Sequence, residues 1–287
     1  MKKCVFCTGE AYPVWREGKY RAYRCRRCLT VSVQPLPEQT ASLYDRDYFQ
    51  RWYLSCADSR GQYLSGLFRS LKKYLPKPGR LLDVGCGTGI FLEVAARNGW
   101  QVLGEEISPF AVSWCRQHGF TIAEGPLTEV KLPENSFDLV TFWDVLAHVP
   151  EAPQYLAAAG KLLKSGGLIL VKTPCHQVSL FRMARLFSFT GKSRALLHVP
   201  AQLHHFNSLS LARVLAGAGF KQVKIMEVKE HSGQVKFSSN QLSSYLFFQV
   251  KRLKDVLGLR KSLVGLGCKP GAAVTGNAQV NTDNRKK

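Results

Sequence analysis

No run of about 18 apolar residues, the least that a helical membrane span requires, occurs in the sequence, so a helical span is excluded. No apolar stretch follows the opening Met-Lys-Lys, and passage through a secretory signal is not expected. No segment repeats at a fixed period, which excludes solenoids and propellers. Acidic residues are scarce, 20 against 40 Lys and Arg, leaving a net charge of +20. Apolar residues are not scarce: at 45% hydrophobic and 21% charged, the chain carries enough buriable surface to exclude disorder over its whole length. Its 287 residues allow one large domain plus a small one, or two modest ones.

The positive charge gathers at the two ends. Residues 1–30 carry eight basic and two acidic side chains, and residues 251–287 carry nine and two. The long middle is close to an ordinary enzyme surface. Basic ends suit contact with a polyanion, either nucleic acid or anionic lipid, and equally suit simple solubility.

Nine cysteines stand at 4, 7, 25, 28, 56, 86, 115, 175 and 268. An odd number without a signal segment points to a reducing, cytoplasmic setting and to metal ligation rather than disulfides. Cys4-Val-Phe-Cys7 and Cys25-Arg-Arg-Cys28 have the spacing of a zinc ribbon. In such a ribbon, two tight turns each present a pair of sulfurs to one tetrahedral Zn²⁺ at about 2.3 Å. Tyr12 to Arg16 and Lys19 to Arg24 read as the strands between them, with Glu17-Gly18 as the turn. Arg24, Arg26 and Arg27 can offset the charge of four thiolates on one ion. So small a unit needs the metal as structural support. Unliganded surface thiols are the alternative. Tyr12, Trp15, Tyr20 and Tyr23 alternate with basic residues, a pattern that serves base stacking or packing within the ribbon and onto its neighbour.

Pro35-Leu36-Pro37 closes the ribbon. Residues 40–56 place Tyr44, Tyr48, Phe49, Trp52 and Tyr53 among charges, predicting one or two short helices, and 59–75 repeat apolar residues at helical spacing. The domain reading is a ribbon over 1–35, a helical connector over 36–78, a core domain over 79–262 with an insertion at 175–205, and a basic flexible tail over 263–287.

The core opens with Arg-Leu-Leu-Asp-Val-Gly-Cys-Gly-Thr-Gly-Ile-Phe-Leu at 80–92, an apolar strand running through three glycines into a helix. Glycines there let the backbone turn sharply and approach a ligand. Asp83 stands two residues before the first glycine, where a phosphate cradle gains nothing from a carboxylate. Gln101-Val-Leu-Gly-Glu-Glu-Ile107 predicts a second strand ending in acids, whose Glu106 can accept both hydroxyls of a ribose. Phe120 to Ala123 predicts a third strand, and 135–148 a fourth with a polar exit. The competing reading, a dinucleotide dehydrogenase, spaces its third glycine one place later and usually lacks the acid at 83.

LLDVGCGTGIFL, VLGEEISPFAV, FDLVTFWDVLAHV, LLKSGGLILVKTP and LHHFNSLSLARVLAGAGF together resemble the class I S-adenosylmethionine-dependent methyltransferases. The resemblance spans roughly residues 1–230. It extends to a bacterial group with an N-terminal zinc ribbon, associated with saccharide and small-molecule methylation, and to the quinone-biosynthesis O-methyltransferases. It implies an α/β fold, a Rossmann-like doubly wound sheet of the seven-stranded methyltransferase type, with S-adenosylmethionine as cofactor. Asp83 would favour the cationic methionine part of the donor. Gly85, Cys86, Gly87, Thr88 and Gly89 would line methionine and ribose, Glu106 would hold the diol, and Ile107 would pack on adenine. Gly125 and Leu127 would meet the adenine edges, and Trp143 and Asp144 would close the pocket.

Methyl transfer from a sulfonium needs alignment and exclusion of water, and an oxygen acceptor also needs a base. The candidates are His148, His204 and His205, with structural roles open for each. The insertion at 175–205 has Leu180, Phe181, Ala184 and Phe187 on one helical face and Arg182 and Arg185 on the other. It reads as a lid whose arginines face an anionic acceptor, or as a helix lying on an anionic membrane surface. Residues 221–228 predict a sixth strand and 240–258 a helix, while CKPGAAVTGNAQ is polar and glycine-rich, so that the seventh strand is expected to be irregular, near 272–274, or missing.

The reading is therefore a methyltransferase acting on a small molecule or a lipid- or nucleotide-linked saccharide. Two rivals remain. An RNA methyltransferase would use the basic ribbon, although the fourth strand lacks the Asn/Asp-Pro-Pro-aromatic loop common in base-amine methylation. A non-catalytic binding protein on the same scaffold would not need Asp83, the glycine turn and Glu106 intact.

Overall fold

Two sheets share one chain in the computed structural model, which describes residues 2–36, 44–176, 178–186, 188, 193–229 and 261–271. The smaller is antiparallel: β1 (Lys2–Lys3), β2 (Glu10–Glu17), β3 (Tyr20–Cys25), β4 (Val31–Gln34) and then β10 (His204–His205), a strand from much later in the chain. Gly18, at φ +58°, turns the β2–β3 hairpin. β10 pairs His204 with Ser32 and His205 with Val31, so the ribbon edge is completed by the domain it precedes.

The larger sheet has the strand order β11 (Lys221–Lys229), β12 (Lys261–Cys268), β9 (Leu163–Pro174), β8 (Phe137–Trp143), β5 (Arg80–Val84), β6 (Gln101–Glu106) and β7 (Ile122–Glu124). β7, β6, β5, β8 and β9 are parallel, and β12 is antiparallel to both its neighbours. The chain runs outward from β5 through β6 to β7 and then returns to the other side of β5 as β8. That reversal makes the crevice above the ends of β5 and β8 the natural ligand position.

Helices α3 (Ile90–Arg97), α4 (Pro109–Gln117), α5 (Ala152–Leu162) and α8 (Ser208–Gly217) connect these strands. Ahead of them stand α1 (Arg46–Trp52) and α2 (Ala57–Leu71). Leu64, Leu67, Phe68 and Leu71 form one stripe of α2 and pack with Leu81, Phe91, Val94 and Trp100. The stripe predicted over 59–75 is this helix, which ends in a tighter turn at Lys72–Tyr74.

Three expectations are corrected. The third strand is Ile122–Glu124, one or two residues later than predicted. The seventh strand is neither missing nor near 272–274: it is β12, with Leu263, Val264 and Leu266 buried, so the sheet continues to 268 through the first residues assigned to a tail. Its glycines mark close approach, since a Cβ on Gly265 would lie 2.8 Å from Leu215 and one on Gly267 2.8 Å from Phe220. The predicted helix at 240–258 and the tail beyond 271 lie outside the described residues.

The third correction concerns the insertion. Its helices α6 (Val178–Leu186) and α7 (Ser193–Leu197) pack on the ribbon, not over the crevice. Leu180, Phe181, Ala184, Leu197 and Val199 share a core with Trp15, Ala22, Val31 and Val33. Trp15 donates its indole N–H to Ser193 Oγ at 2.9 Å. Glu17 accepts from Ser193 and from Arg194 Nε, the latter at 2.8 Å. The insertion thus clamps the ribbon to the core, and ribbon aromatic Trp15 is spent on that joint. Phe187 lies outside the described residues.

Candidate active site

β5 delivers Asp83 and Val84 to the crevice and the chain then turns through Gly85, Cys86, Gly87, Thr88 and Gly89 into α3. Gly85 and Gly87 hold φ of +61° and +56°. A Cβ on Gly85 would meet Val145 at 2.6 Å, and one on Gly87 would meet Tyr53 at 3.2 Å, so this turn excludes side chains on two counts.

The peptide N–H groups of the turn face carboxylates. Gly85 N donates to Glu105 Oε2 at 2.9 Å, and Gly87 N to Glu106 Oε2 at 2.8 Å. Ile107 N and Ser108 N donate to Glu106 Oε1 at 2.8 and 2.9 Å. In a phosphate cradle those donors would be kept for the ligand. Here the protein consumes two of them and adds Asp83, 2% exposed, beside them. Burial pushes the Asp83 carboxyl up to about 8, against a 2.6 Å hydrogen bond from Thr141 Oγ1 that favours the ionised form. Burial pushes Glu105 to about 8 as well, and also raises Glu106, opposed by its backbone donors. Such a crevice repels a pyrophosphate and attracts a cation.

The cleft has two lobes that share Tyr53, Arg60, Gly85, Trp143 and Asp144. The larger, about 200 Å³, lies under Glu106, Ile107, Val145 and His148. The smaller, about 120 Å³, reaches Asp83, Cys86, Phe91 and Lys172. An aromatic cover closes the first: Tyr44, Tyr48, Phe49 and Tyr53 stand with successive ring centroids about 5 Å apart. Ser108 Oγ ties this cover down by donating to Tyr44 O at 2.6 Å. In the second lobe the Arg60 guanidinium lies 4.2 Å from the Tyr53 ring, and its Nε has no partner. Lys172 pairs with Asp144 Oδ2 at 2.5 Å, while Asp144 Oδ1 and Trp143 Nε1 are buried without partners.

A sulfonium nucleoside fits these groups. Asp83 and the acids beside it would suit its cations, the one lone pair left on Glu106 Oε2 would suit a hydroxyl of its diol, and Arg60 would suit its carboxylate. Of the residues expected to bind it, Asp83, Gly85, Cys86, Gly87, Glu106, Ile107, Trp143 and Asp144 line the cleft. Thr88, Gly89, Gly125 and Leu127 do not. Gly89 starts α3, and Thr88 is buried behind the turn. Gly125 donates to Glu106 O at 3.0 Å, and Leu127 belongs to the core. Sequence reasoning gave no role to Tyr44, Tyr48, Tyr53, Arg60 or Lys172; the density of aromatics over 44–53 was the available signal.

The three candidate histidines separate. His148 lines the cleft, with Nδ1 2.8 Å from Ala201 O, and burial lowers its pKa. His204 and His205 lie in β10 against the ribbon and line neither lobe, which removes them from the reacting centre. His204 bridges Ser32 Oγ at 3.0 Å and Val149 O at 3.1 Å, and burial brings it down to about 4.

The ribbon cysteines do converge. The sulfurs of Cys4, Cys7, Cys25 and Cys28 all lie within 4.8 Å of one another, with Cys4 to Cys28 at 3.5 Å and Cys7 to Cys25 at 3.4 Å. About 3.8 Å separates sulfurs placed tetrahedrally at zinc's bond length, so the set could hold such an ion with little adjustment. Arg27 N and Cys28 N each donate to Cys25 Sγ at 3.3 Å, support that a thiolate can use.

Comparison with known proteins supplies the family. A family described as "Methyltransferase domain" matches residues 56–225. The chain belongs to the class I S-adenosylmethionine-dependent methyltransferases. The ubiquinone biosynthesis O-methyltransferase of Xanthomonas axonopodis pv. citri is 30% identical over 189 residues, which is 61% of this chain and 77% of that enzyme. The enzyme of the same name from Methylococcus capsulatus is 31% identical over 136 residues, 45% of this chain and 56% of its own length. The fold of a SAM-dependent methyltransferase from Archaeoglobus fulgidus superposes with a TM-score of 0.52 at 21% identity, covering 73% of this methyltransferase and 94% of that one. Among the described residues no helix is long and apolar enough to cross a membrane.

Proposed function

We propose that this methyltransferase transfers a methyl group to a hydroxyl of a small molecule, a phenol or a saccharide-type alcohol, with His148 as the base. The observation that carries this reading is the hydrogen bond from His148 Nδ1 to Ala201 O. A carbonyl only accepts, so Nδ1 carries the proton and Nε2 keeps its lone pair. Burial holds the ring neutral, the form that can take a hydroxyl proton. The donor, when bound, supplies an activated methyl on a sulfonium. The chain's own residues then orient and dehydrate: the cover of Tyr44, Tyr48, Phe49 and Tyr53 shields the larger lobe, and its faces suit a planar ring or the apolar face of a sugar. The O-methylation for which the ubiquinone-biosynthesis relatives are named is in keeping with a base at this place.

The four thiolates are proposed to hold one structural Zn²⁺. An RNA acceptor is disfavoured by the ribbon itself, where Trp15 is buried and Arg26 lies over its own Tyr12 at 5.1 Å.

The test is incubation with methyl-labelled donor and a panel of phenols, sugars, amines and total RNA. Label in ether products, with His148→Gln lowering kcat at least roughly 100-fold while leaving donor affinity intact, supports the reading. Label in RNA, or on nitrogen or carbon, or an unchanged kcat in His148→Gln, overturns it.

A further inference from the structure

A third cavity, about 360 Å³, shares no lining residue with the donor cleft. It lies where α6 closes on the ribbon hairpin. Three arginines frame it: Arg24 from β3, and Arg182 and Arg185 three residues apart on α6. No carboxylate is among its lining residues. Its inner wall includes His205, only 2% exposed, whose Nδ1 and Nε2 both lack a hydrogen-bond partner. The ring is wedged by Phe181 at 5.1 Å and His176 at 4.4 Å, so packing fixes its place while its polarity goes unused. A buried donor and acceptor left together cost stability unless something meets them. Apart from Asn207, the rest of the wall is apolar or aromatic, including Tyr12, Pro13 and Val14.

We infer that this cavity is a second binding site, for a small organic phosphomonoester. Guanidinium groups match phosphate oxygens bidentately, and the P–O and P–OH of a monoester supply both the acceptor and the donor that His205 lacks. The volume exceeds a bare phosphate and falls at the low end of small-ligand sites, and the apolar wall takes the organic part. The site lies one strand from the reacting centre. Ala201, four residues before His205, holds His148, and Leu203 N and His204 N both donate to Ala147 O, at 2.8 and 3.0 Å. An occupant is therefore felt by the loop that carries the proposed base, but its binding does not depend on which acceptor is methylated.

The test is calorimetric titration of the full chain with phenyl phosphate, inorganic phosphate and phenol, with and without saturating S-adenosylhomocysteine. Phenyl phosphate should bind saturably, more tightly than either fragment, and equally with the donor cleft filled. The Arg182→Gln/Arg185→Gln variant, altered at exposed positions, should lose about tenfold or more of that affinity while binding S-adenosylhomocysteine as before. Absence of saturable binding, an affinity unchanged in the double variant, or displacement by S-adenosylhomocysteine would overturn the site. Flotation with phosphatidic acid vesicles is the other arm: capture on vesicles without binding of soluble phenyl phosphate would assign the arginines to a lipid surface and overturn it too.

Discussion

Gly87 donates its backbone N–H to Glu106 Oε2 across 2.8 Å, tying the glycine turn of one strand to the acid that ends the next. The other oxygen of Glu106 already accepts from Ile107 N and Ser108 N. The residue thus shapes the turn and keeps one lone pair, on Oε2, for a ligand hydroxyl.

Replacement Glu106→Gln tests that double duty. An amide NH₂ would have to face Gly87 N–H on one side or the two donors on the other, leaving opposed donors whichever way it flips. Donor affinity should fall roughly 10- to 100-fold, the cost of about 1–3 kcal/mol for unsatisfied buried groups. Thermal stability without ligand should fall as well, which loss of a ribose contact alone would not produce. An unchanged melting temperature with weakened binding would confine Glu106 to the ligand.

Asp83 gives a prediction in pH. In the free fold its carboxyl is raised to about 8, from an ordinary 3.8, by burial. The folded chain therefore binds more protons than the unfolded chain between those values. This contribution to stability is fully present below the ordinary carboxylate range and is lost as pH rises through about 8. Glu105, also raised to about 8, adds to the same slope. A cationic donor favours the ionised form, so its affinity should climb with pH until about 8 and then level, with protons released on binding. Asp83→Asn should flatten both slopes, leaving a chain that melts higher at alkaline pH and binds the donor poorly. Melting curves against pH, and calorimetry in two buffers of different ionisation heat, read this directly; proton uptake on binding would contradict it.

The metal prediction follows from the way the ribbon is joined. Elemental analysis should find one zinc per chain, reduced in Cys25→Ser. β4 pairs with β10, and Phe6, between Cys4 and Cys7, packs on His204 and Phe206 at 5.0 and 5.7 Å. Loss of the ion should loosen β10 and with it Ala201, the carbonyl that orients His148. Chelation should therefore lower the melting temperature by roughly 5 °C or more and reduce kcat while leaving donor affinity nearly intact. A chelated chain of undiminished kcat would uncouple ribbon from cleft.

What the sequence revealed, and what it hid, divides along physical lines. The glycine turn, Asp83, Glu106 and the four cysteines were legible because each geometry admits few residue types: a Cβ on Gly85 collides with Val145, and a tetrahedral thiolate site needs two close pairs. The role of α6 was not legible. Its apolar stripe says that one face is buried but not against what, and here the partner is the ribbon, at the N-terminal end of the described chain and remote from α6's own neighbours in sequence. β12 was hidden by Gly265 and Gly267, which resemble a loose tail until Leu215 and Phe220 are seen filling the space above them. Residue type alone makes His204 and His205 candidate bases, and only the β4–β10 pairing shows that they lie against the ribbon. Arg60 was unmarked although it stands four residues before Leu64, in line with the apolar stripe, because a long cation at the end of such a stripe ordinarily extends its head to solvent.

Arg60 is the last residue whose role can be isolated. It stands on α2 over the Tyr53 ring, donates to Trp52 O at 3.3 Å, and keeps its Nε unpartnered beside the lobe that contains Asp83. If it receives the donor's carboxylate, Arg60→Met should weaken S-adenosylhomocysteine by about tenfold, the usual strength of a charge-assisted hydrogen bond. The same substitution should leave 5′-methylthioadenosine, which has no carboxylate, bound as tightly as before. The truncated ligand separates a lost contact from a distorted cleft, because distortion at Tyr53 would weaken both. Equal losses for the two ligands would reassign Arg60 to holding the aromatic cover in place, through its stacking on Tyr53 and its bond to Trp52.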